Sequence, residues 1–318
     1  IVYFMKLISL VFSFKNEETN IKELVERAHN TLVKLENWKY ELIFVNDAST
    51  DESESLLEKL QKSYPINIIN MSRTFGLGPC VLAGFNNAKG DCIVYMDSDL
   101  QDPPEIIPEL ISEYEKGSDV VHTVRTKRLG ELKTKLWLTK TAYKIINFFS
   151  DIPLKTEAGD FKLISRKAMN EILKLREFNP YVRGLSVWVG FNQSFVNYVR
   201  QPRGSGKTNF PLFSIGTYFA FLSGITSYSL KPLYLGILLG FFSLIFSFIL
   251  IFYALYLKFN SFAVPGSTGI IITVSFFSGI LLLNLGIVGM YIARIFEQTS
   301  GRNSYIVKNI KQYDSSKN

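Results

Sequence analysis

The sequence predicts an α/β domain on a mostly parallel sheet, followed by two membrane-spanning helices. Three observations carry that reading. Short apolar runs alternate with helically spaced ones from residue 6 to about 120, three of those runs end in acids, and two long uncharged stretches fill the last third. Strands that alternate with helices pair in parallel, because a parallel pair needs a crossover long enough to hold a helix.

The elements follow in order. Strands are expected at residues 7–14, 41–45, 66–70, 92–96 and 119–124, with helices at 21–35, 52–63, around 80–88 and at 104–116. The opening IVYFMKLISLVFSF has neither a basic n-region nor a small-residue cleavage site before Glu17 and Glu18, so it reads as a buried strand rather than a secretory signal. Of the 318 residues, 47% are hydrophobic and 20% charged, which excludes disorder. Net charge is +7: up to Thr208 there are 28 basic and 26 acidic residues, beyond it 7 and 2, so most of the surplus travels with the apolar part. Cys80 and Cys92 lie in apolar runs with only His29 and His122 as further soft ligands, which argues against zinc and against a disulfide scaffold. They read as small core residues of a reducing compartment.

Residues 232–257 form 26 consecutive uncharged positions between Lys231 and Lys258, more than the ~20 that cross a bilayer. A second uncharged run covers 259–293, where Pro265, Gly266 and Gly269 mark a turn before a helix at 270–293. Arg200, Arg203, Lys207 and Lys231 precede the pair and Arg294, Arg302, Lys308 and Lys311 follow it, so both ends are expected in the cytoplasm. Neither span holds an ionisable residue that would mark a substrate pathway, which makes the pair an anchor. Residues 208–230 are uncharged but interrupted by Ser, Thr, Gly and Tyr, and suit the interface. Residues 125–144 carry seven basic residues and one acid, interleaved with apolar residues at helical spacing, a face that suits anionic lipid headgroups. The expected organisation is an α/β domain at 1–207 with a basic amphipathic segment at 125–149, an interfacial segment at 208–230, two spans within 231–294 and a tail at 295–318.

Acids gather at strand ends: Glu17 after the first, Asp47 after the second, Asp97 and Asp99 after the fourth. Asp97-Ser98-Asp99 is an acid-x-acid turn, able to hold one hard divalent ion whose other ligands are phosphate oxygens and water. Alone, such a triplet is usually solvated surface. Two nucleotide motifs fail: Gly204-Ser205-Gly206-Lys207-Thr208 has Gln201 where a P-loop needs glycine, and Gly76-Leu77-Gly78 lacks the third glycine of a dinucleotide fingerprint.

Phe14-Lys15-Asn16-Glu17-Glu18, Val45-Asn46-Asp47-Ala48-Ser49-Thr50-Asp51, Arg73-Thr74-Phe75-Gly76, Asp97-Ser98-Asp99-Leu100-Gln101-Asp102-Pro103-Pro104 and Ala158-Gly159-Asp160-Phe161 resemble, in order and spacing, family 2 glycosyltransferases. More narrowly, the chain resembles polyprenyl-phosphate glycosyltransferases of the dolichol-phosphate mannose synthase type that carry two C-terminal transmembrane helices. The likeness runs from about residue 6 to 308. It implies a GT-A fold, a nucleotide-sugar donor, a divalent metal (Mg2+ or Mn2+), inversion at the anomeric carbon and a polyprenyl phosphate acceptor in a bacterial inner membrane. It offers no place for nucleic acid, and leaves a homo-oligomer open. The donor lean is UDP-glucose or a related UDP-hexose, with GDP-mannose as the alternative.

The resemblance also implies roles. Phe14, Glu17, Asp47, Arg73, Asp97 and Ser98 fall on the donor side, Asp99 and Gln101 on the metal. Asp160 matches the family's catalytic base and Asp97 belongs with it. Arg125, Lys133 and Lys135 fall where relatives hold the lipid phosphate, and Arg200, Arg203 and Lys207 near the diphosphate. A phosphate monoester is largely ionised at neutral pH, so Asp160 either abstracts a proton or orients the acceptor. A dianion beside a carboxylate needs an offsetting cation, for which Arg125, Lys133 and Lys135 are the candidates. The departures are Asn209 where relatives have lysine, Ser13 for a common proline, and Gly78-Pro79 after Phe-Gly. A processive polysaccharide synthase would show Gln-x-x-Arg-Trp and more spans; a sugar nucleotidyltransferase, a Gly-rich loop after the first strand. A membrane-anchored nucleotide-sugar-binding scaffold without turnover is the reading from another class.

Overall fold

Strand β1 (Lys6–Phe14) sits at the heart of an eight-stranded sheet of order β7-β5-β6-β4-β1-β2-β3-β8. The computed structural model describes residues 5–128, 133–151, 155, 157–175, 177–201, 225–226, 229–260 and 266–314. The strands are β2 (Trp38–Asn46), β3 (Ile66–Met71), β4 (Cys92–Asp97), β5 (Val120–Arg128), β6 (Ala158–Ser165), β7 (Gln193–Arg200) and β8 (Val307–Lys311). Between them run α1 (Ile21–Leu32), α2 (Ser53–Leu60), α3 (Leu77–Asn87), α4 (Ile107–Glu115), α5 (Lys133–Phe149), α6 (Arg166–Lys174) and α7 (Val182–Trp188), then α8 (Lys231–Phe259) and α9 (Ser267–Thr299). The expected fold class is the one found: mixed α/β, mostly parallel, with two long apolar helices at the end.

β1 is apolar on both sides because both sides are covered. Ile8, Leu10 and Phe12 face a cluster with Leu24 and Ala28 of α1, Leu57 of α2 and Leu110 of α4, while Val11 faces Val81 and Phe85 of α3. Helix α1 buries Ile21, Leu24, Val25, Ala28 and Leu32, spaced by three and four, so one stripe meets the sheet and the rest stays wet. The result is a helix–sheet–helix sandwich. β1 pairs in parallel with β2 and β4, β2 with β3, and β5 with β7; β6 is antiparallel to β4 and β5, and β8 to β3.

Two features differ from the sequence reading. Residues 125–128 extend β5 rather than opening a basic helix, because they pair with β7 as far as Arg128 opposite Arg200; the helix begins at Lys133. The segment after the second span is not only a tail, since β8 forms the sheet's last strand.

Helices α8 and α9 contain candidate spans at Lys231–Tyr253 and Phe276–Thr299, with apolar side chains such as Ile237, Phe252 and Leu282 turned outward. Phe246 of α8 packs on Phe276 of α9 with ring centres 5.5 Å apart. The pair is tied to the domain at its polar ends: Lys231 pairs with Asp151 at 3.1 Å, and the Phe178 amide donates to Gln298 Oε1 at 3.1 Å. Most of the expected interfacial segment, 208–230, lies outside the described residues.

Candidate active site

The register brings the acids to one edge. Phe14 pairs with Asn46 and Ser13 with Asp97, so the loops bearing Glu17, Asp47 and Asp99 leave neighbouring strands at the same end. Connections fan out to opposite sides of β1 here, the crevice where open α/β sheets bind ligands. Each loop holds a non-glycine residue in the left-handed region: Asn16 at φ 56°, Ala48 at 55° and Leu100 at 61°. Such conformations cost ~1–2 kcal/mol apiece and persist only where surroundings enforce them. Here the enforcement is visible: Asn16 Oδ1 accepts the Thr50 amide at 2.8 Å, and the Glu17 amide donates to Ser53 Oγ at 3.0 Å.

Glu17 and Asp47 are both buried. Asn20 donates to Glu17 Oε2 at 2.6 Å, and Asp47 accepts the amides of Phe75 (2.7 Å) and Gly76 (3.1 Å). Asp47 thereby ties the end of β2 to the loop at 73–76, where the Arg73 guanidinium lies 4.0 Å over Phe75. Ser98 donates to the Ser13 carbonyl at 3.1 Å. The Phe14 ring belongs to the core, and its carbonyl accepts the Asp47 amide at 3.0 Å. Gly78, one of the departures, packs so closely that a Cβ would stand 2.5 Å from the Pro180 carbonyl oxygen. Cys80 and Cys92 are buried, and burial pushes both thiols up, as suits core residues.

Asp97 and Asp160 meet across strands. The antiparallel ladder pairs Cys92 with Ser165 and Tyr95 with Lys162; that register continued two steps points Asp97 toward Asp160, whose charge acts on it. Burial raises the Asp97 carboxyl to about 7, with Asp102, Asp160 and Asp99 adding repulsion and Arg125 opposing. Tyr95 donates to it at 3.2 Å. Asp99 accepts the Gln101 amide at 3.1 Å, and the Gln101 carbonyl accepts the Gln201 amide at 3.1 Å, fastening this turn to the end of β7.

Asp102 is fully buried and gathers the arginines. Arg125 Nη2 is 3.7 Å and Arg200 Nε 3.6 Å from its oxygens; Tyr198 donates to Asp102 and accepts from Arg125 Nε at 2.9 Å. Arg125 lies against the backbone at Gly159, where a Cβ would come within 2.7 Å of the guanidinium. Glycine before Asp160 is therefore a matter of room.

On the other side of that strand, Asp160 meets Arg183 of α7: Nη2 is 2.5 Å from Oδ2 and Nε 3.3 Å from Oδ1. Arg183 Nη1 also donates to the Tyr143 hydroxyl on α5. Burial pushes the Asp160 carboxyl up, and Lys162 and Arg125 oppose it. Lys162 is itself fully buried, donates to Ser186 Oγ at 2.8 Å, and is pushed down by burial to about 8 against the pull of Asp160. Arg183 further borders a cavity of about 170 Å³ beside His122, Lys155 and Phe195.

Of the expected site residues, Glu17, Asp47, Ser98, Asp97, Asp99 and Gln101 share one edge with Asp160, and Arg125 and Arg200 converge on Asp102. Arg73 stands on the adjoining loop. The side chains of Lys133 and Lys135, and residues Arg203, Lys207 and Asn209, lie outside the described residues. Among the described residues, the cation touching Asp160 is Arg183, which the sequence reading does not single out; nor does it give roles to Asp102, Tyr198 or Lys162. Asp102-Pro103-Pro104 was a legible signal within an acid-rich turn. Arg183 had no local one.

A divalent cation fits this edge. Asp99 and Gln101 supply hard oxygen donors, and Asp97 is crowded by Asp102, Asp160 and Asp99, whose repulsion Arg125 only partly offsets. Among the described residues no three acidic, histidine or cysteine side chains converge to hold an ion unaided. A cation here would be bound through one or two protein groups and completed by substrate phosphates and water.

The acid-lined sheet edge defines a candidate ligand crevice, and comparison with known proteins gives the family. Residues 9–173 match glycosyl transferase family 2, so the chain belongs to that family and is a glycosyltransferase with a domain of GT-A type. It is 40% identical to the "Uncharacterized glycosyltransferase YkcC" of Bacillus subtilis, over 94% of this chain and 93% of that one. It is 33% identical to the "Bactoprenol glucosyl transferase" of Shigella phage SfV, over 96% and 99%. Among solved structures, S. aureus TarS in complex with UDP-GlcNAc is similar at 16% identity and a TM-score of 0.48, over 69% of this chain and 65% of that one.

Proposed function

We propose that the protein transfers a sugar, with inversion, from a UDP-hexose such as UDP-glucose to a polyprenyl phosphate in the bacterial inner membrane. The observation that carries this reading is an acid-lined sheet edge, with Glu17, Asp47, Asp97, Asp99 and Asp160 together, in a domain joined to two apolar helices. The name of the phage relative, a bactoprenol glucosyl transferase, supports the acceptor and the sugar.

In this reading an acceptor phosphate oxygen bonds to the anomeric carbon as the bond to the diphosphate breaks, and the pair leaves on UDP. Glu17 and Asp47 shape the nucleotide pocket with Phe14, Ser98 and Arg73. Asp99 and Gln101 would hold Mg2+ or Mn2+, which when bound supplies charge stabilisation to the diphosphate. Arg200, Arg203 and Lys207 add to that term. Asp160 orients the acceptor phosphate, already ionised at neutral pH, while Arg125, Lys133 and Lys135 attract it. The lysines of α5 meet anionic headgroups at the surface.

Catalytic domain and both termini lie on the cytoplasmic side. Two crossings return the chain to the side it left, and the pairing of β8 with β3 supports that count, because one sheet cannot straddle a bilayer.

The test is transfer from a panel of radiolabelled UDP- and GDP-sugars to undecaprenyl phosphate by detergent-purified protein with manganese or magnesium. One UDP-hexose should give lipid-linked product that chelation abolishes and that Asp99→Ala lowers at least ~100-fold, the scale of one lost transition-state contact. Product from GDP-mannose alone would move the donor. Nucleotide binding without product from any donor would favour a non-catalytic scaffold.

A further inference from the structure

We propose that Arg183 is a positioning residue of the transfer: its guanidinium fork sets the Asp160 carboxylate and, through Tyr143, couples it to helix α5. This inference rests on the function proposed above. Asp160 is held on both oxygens, at 2.5 and 3.3 Å, the two-point contact that fixes rotation as well as place. The charges of Lys162, Arg125 and Arg200 favour its ionised form from a distance, but the side-chain contacts these groups make are with others. Asp97 opposite is a like charge; Lys162, two places along β6, donates to Ser186; Arg125 and Arg200 face Asp102 and Tyr198. Among the described residues, Arg183 is the cation in direct contact with the carboxylate.

A carboxylate orienting a phosphate dianion must stay ionised while repelled by it, and burial alone pushes Asp160 the other way. A guanidinium in contact meets both needs. Its third nitrogen reaches the Tyr143 hydroxyl, and Tyr143 belongs to the basic helix α5, whose last turn is joined to the anchor through the Phe148 and Ser150 carbonyls that accept from Lys231 Nζ at 3.3 and 3.2 Å. The carboxylate's orientation is thus referred, through two side chains, to the element nearest the membrane anchor.

The experiment uses the full chain in detergent, with the active donor and undecaprenyl phosphate. It compares Arg183→Gln, Arg183→Lys, Tyr143→Phe, Asp160→Asn and the double variant Arg183→Gln/Asp160→Asn. Arg183→Gln should lower kcat ~100-fold, the scale of a misplaced catalytic group, with donor KM within about twofold of wild type. Arg183→Lys should recover about tenfold of that, and Tyr143→Phe should lower kcat a few-fold. The double variant should be no slower than Asp160→Asn, because residues acting as one unit do not add. The acid limb of the Arg183→Gln pH–rate profile should move to higher pH, since losing the cation favours the protonated carboxyl. Full additivity, or a raised donor KM with unchanged kcat, would overturn the proposal. Should Arg183→Gln not fold, unchanged kcat in both Arg183→Lys and Tyr143→Phe would overturn it equally. A wild type that transfers nothing would instead sink the functional reading itself.

Discussion

His122 sits on β5 at 2% exposure, stacked 5.4 Å from the Phe195 ring and bonded to Gln193 at 3.1 Å. Burial, with Lys162 nearby, pushes it from 6.5 down to about 3. The folded chain therefore refuses a proton that the unfolded chain takes up near pH 6.5. The stability this group allows is present above that pH and is lost as pH falls toward about 3. Between pH 7.5 and 5.5 the loss is about 1.4 kcal/mol, one unit of linkage. His122→Phe, which keeps the stacking, should flatten that slope in detergent melts at pH 7.5, 6.5 and 5.5; equal slopes in both proteins would refute the assignment. Among single residues, the acids of the strand ends were legible because a carboxylate after an apolar run needs a reason to be there. Arg183 was not: its tie to Asp160 exists only once α7 lies across β6. Lys162 was equally hidden, since a lysine inside an apolar strand reads as surface until its neighbours are known.

At the level of elements, strands β1 to β4 were legible because strands buried on both faces are continuous apolar runs. β5 was read four residues short, its basic end reading as the start of a helix until β7 is there to pair with it. β8 was invisible: Val-Lys-Asn-Ile-Lys is short, half polar and an edge. Yet it is well fastened. Lys311 pairs with Glu54 at 2.6 Å and with Glu58, Asn309 accepts from Asn70 at 2.8 Å, and Asn70 accepts from Asn46 at 3.0 Å. That polar chain ends one residue from Asp47. Truncation after Gly301 should lower stability by about 3 kcal/mol, at roughly 1 kcal/mol per ladder hydrogen bond, and weaken UDP binding. Thermal melts and UDP titration would check both; an unchanged melting temperature would show that β8 is decoration.

For the molecule as a whole, the anchor turns encounter with a lipid acceptor into a search within the plane of the membrane. A variant with α8 and α9 replaced by a flexible linker that still delivers β8 should bind donor within about threefold of wild type, while transfer to undecaprenyl phosphate falls at least ~10-fold. Equal loss of both would mean that the helices support the donor pocket itself. The spans were the most legible part of the chain, because no soluble surface tolerates that length without charge. Their coupling to the sheet was not.

The last strand of the sheet is made only after both apolar helices. β8 follows α8 and α9, so β3 keeps an open edge throughout their synthesis and, in the topology proposed above, is covered only once the second helix has crossed the bilayer and the chain has returned. On that topology, completion of the catalytic domain is conditional on delivery to the bilayer. A chain whose hydrophobic hairpin goes astray leaves a bare strand behind, a mark of failed biogenesis that proteases and chaperones are equipped to read.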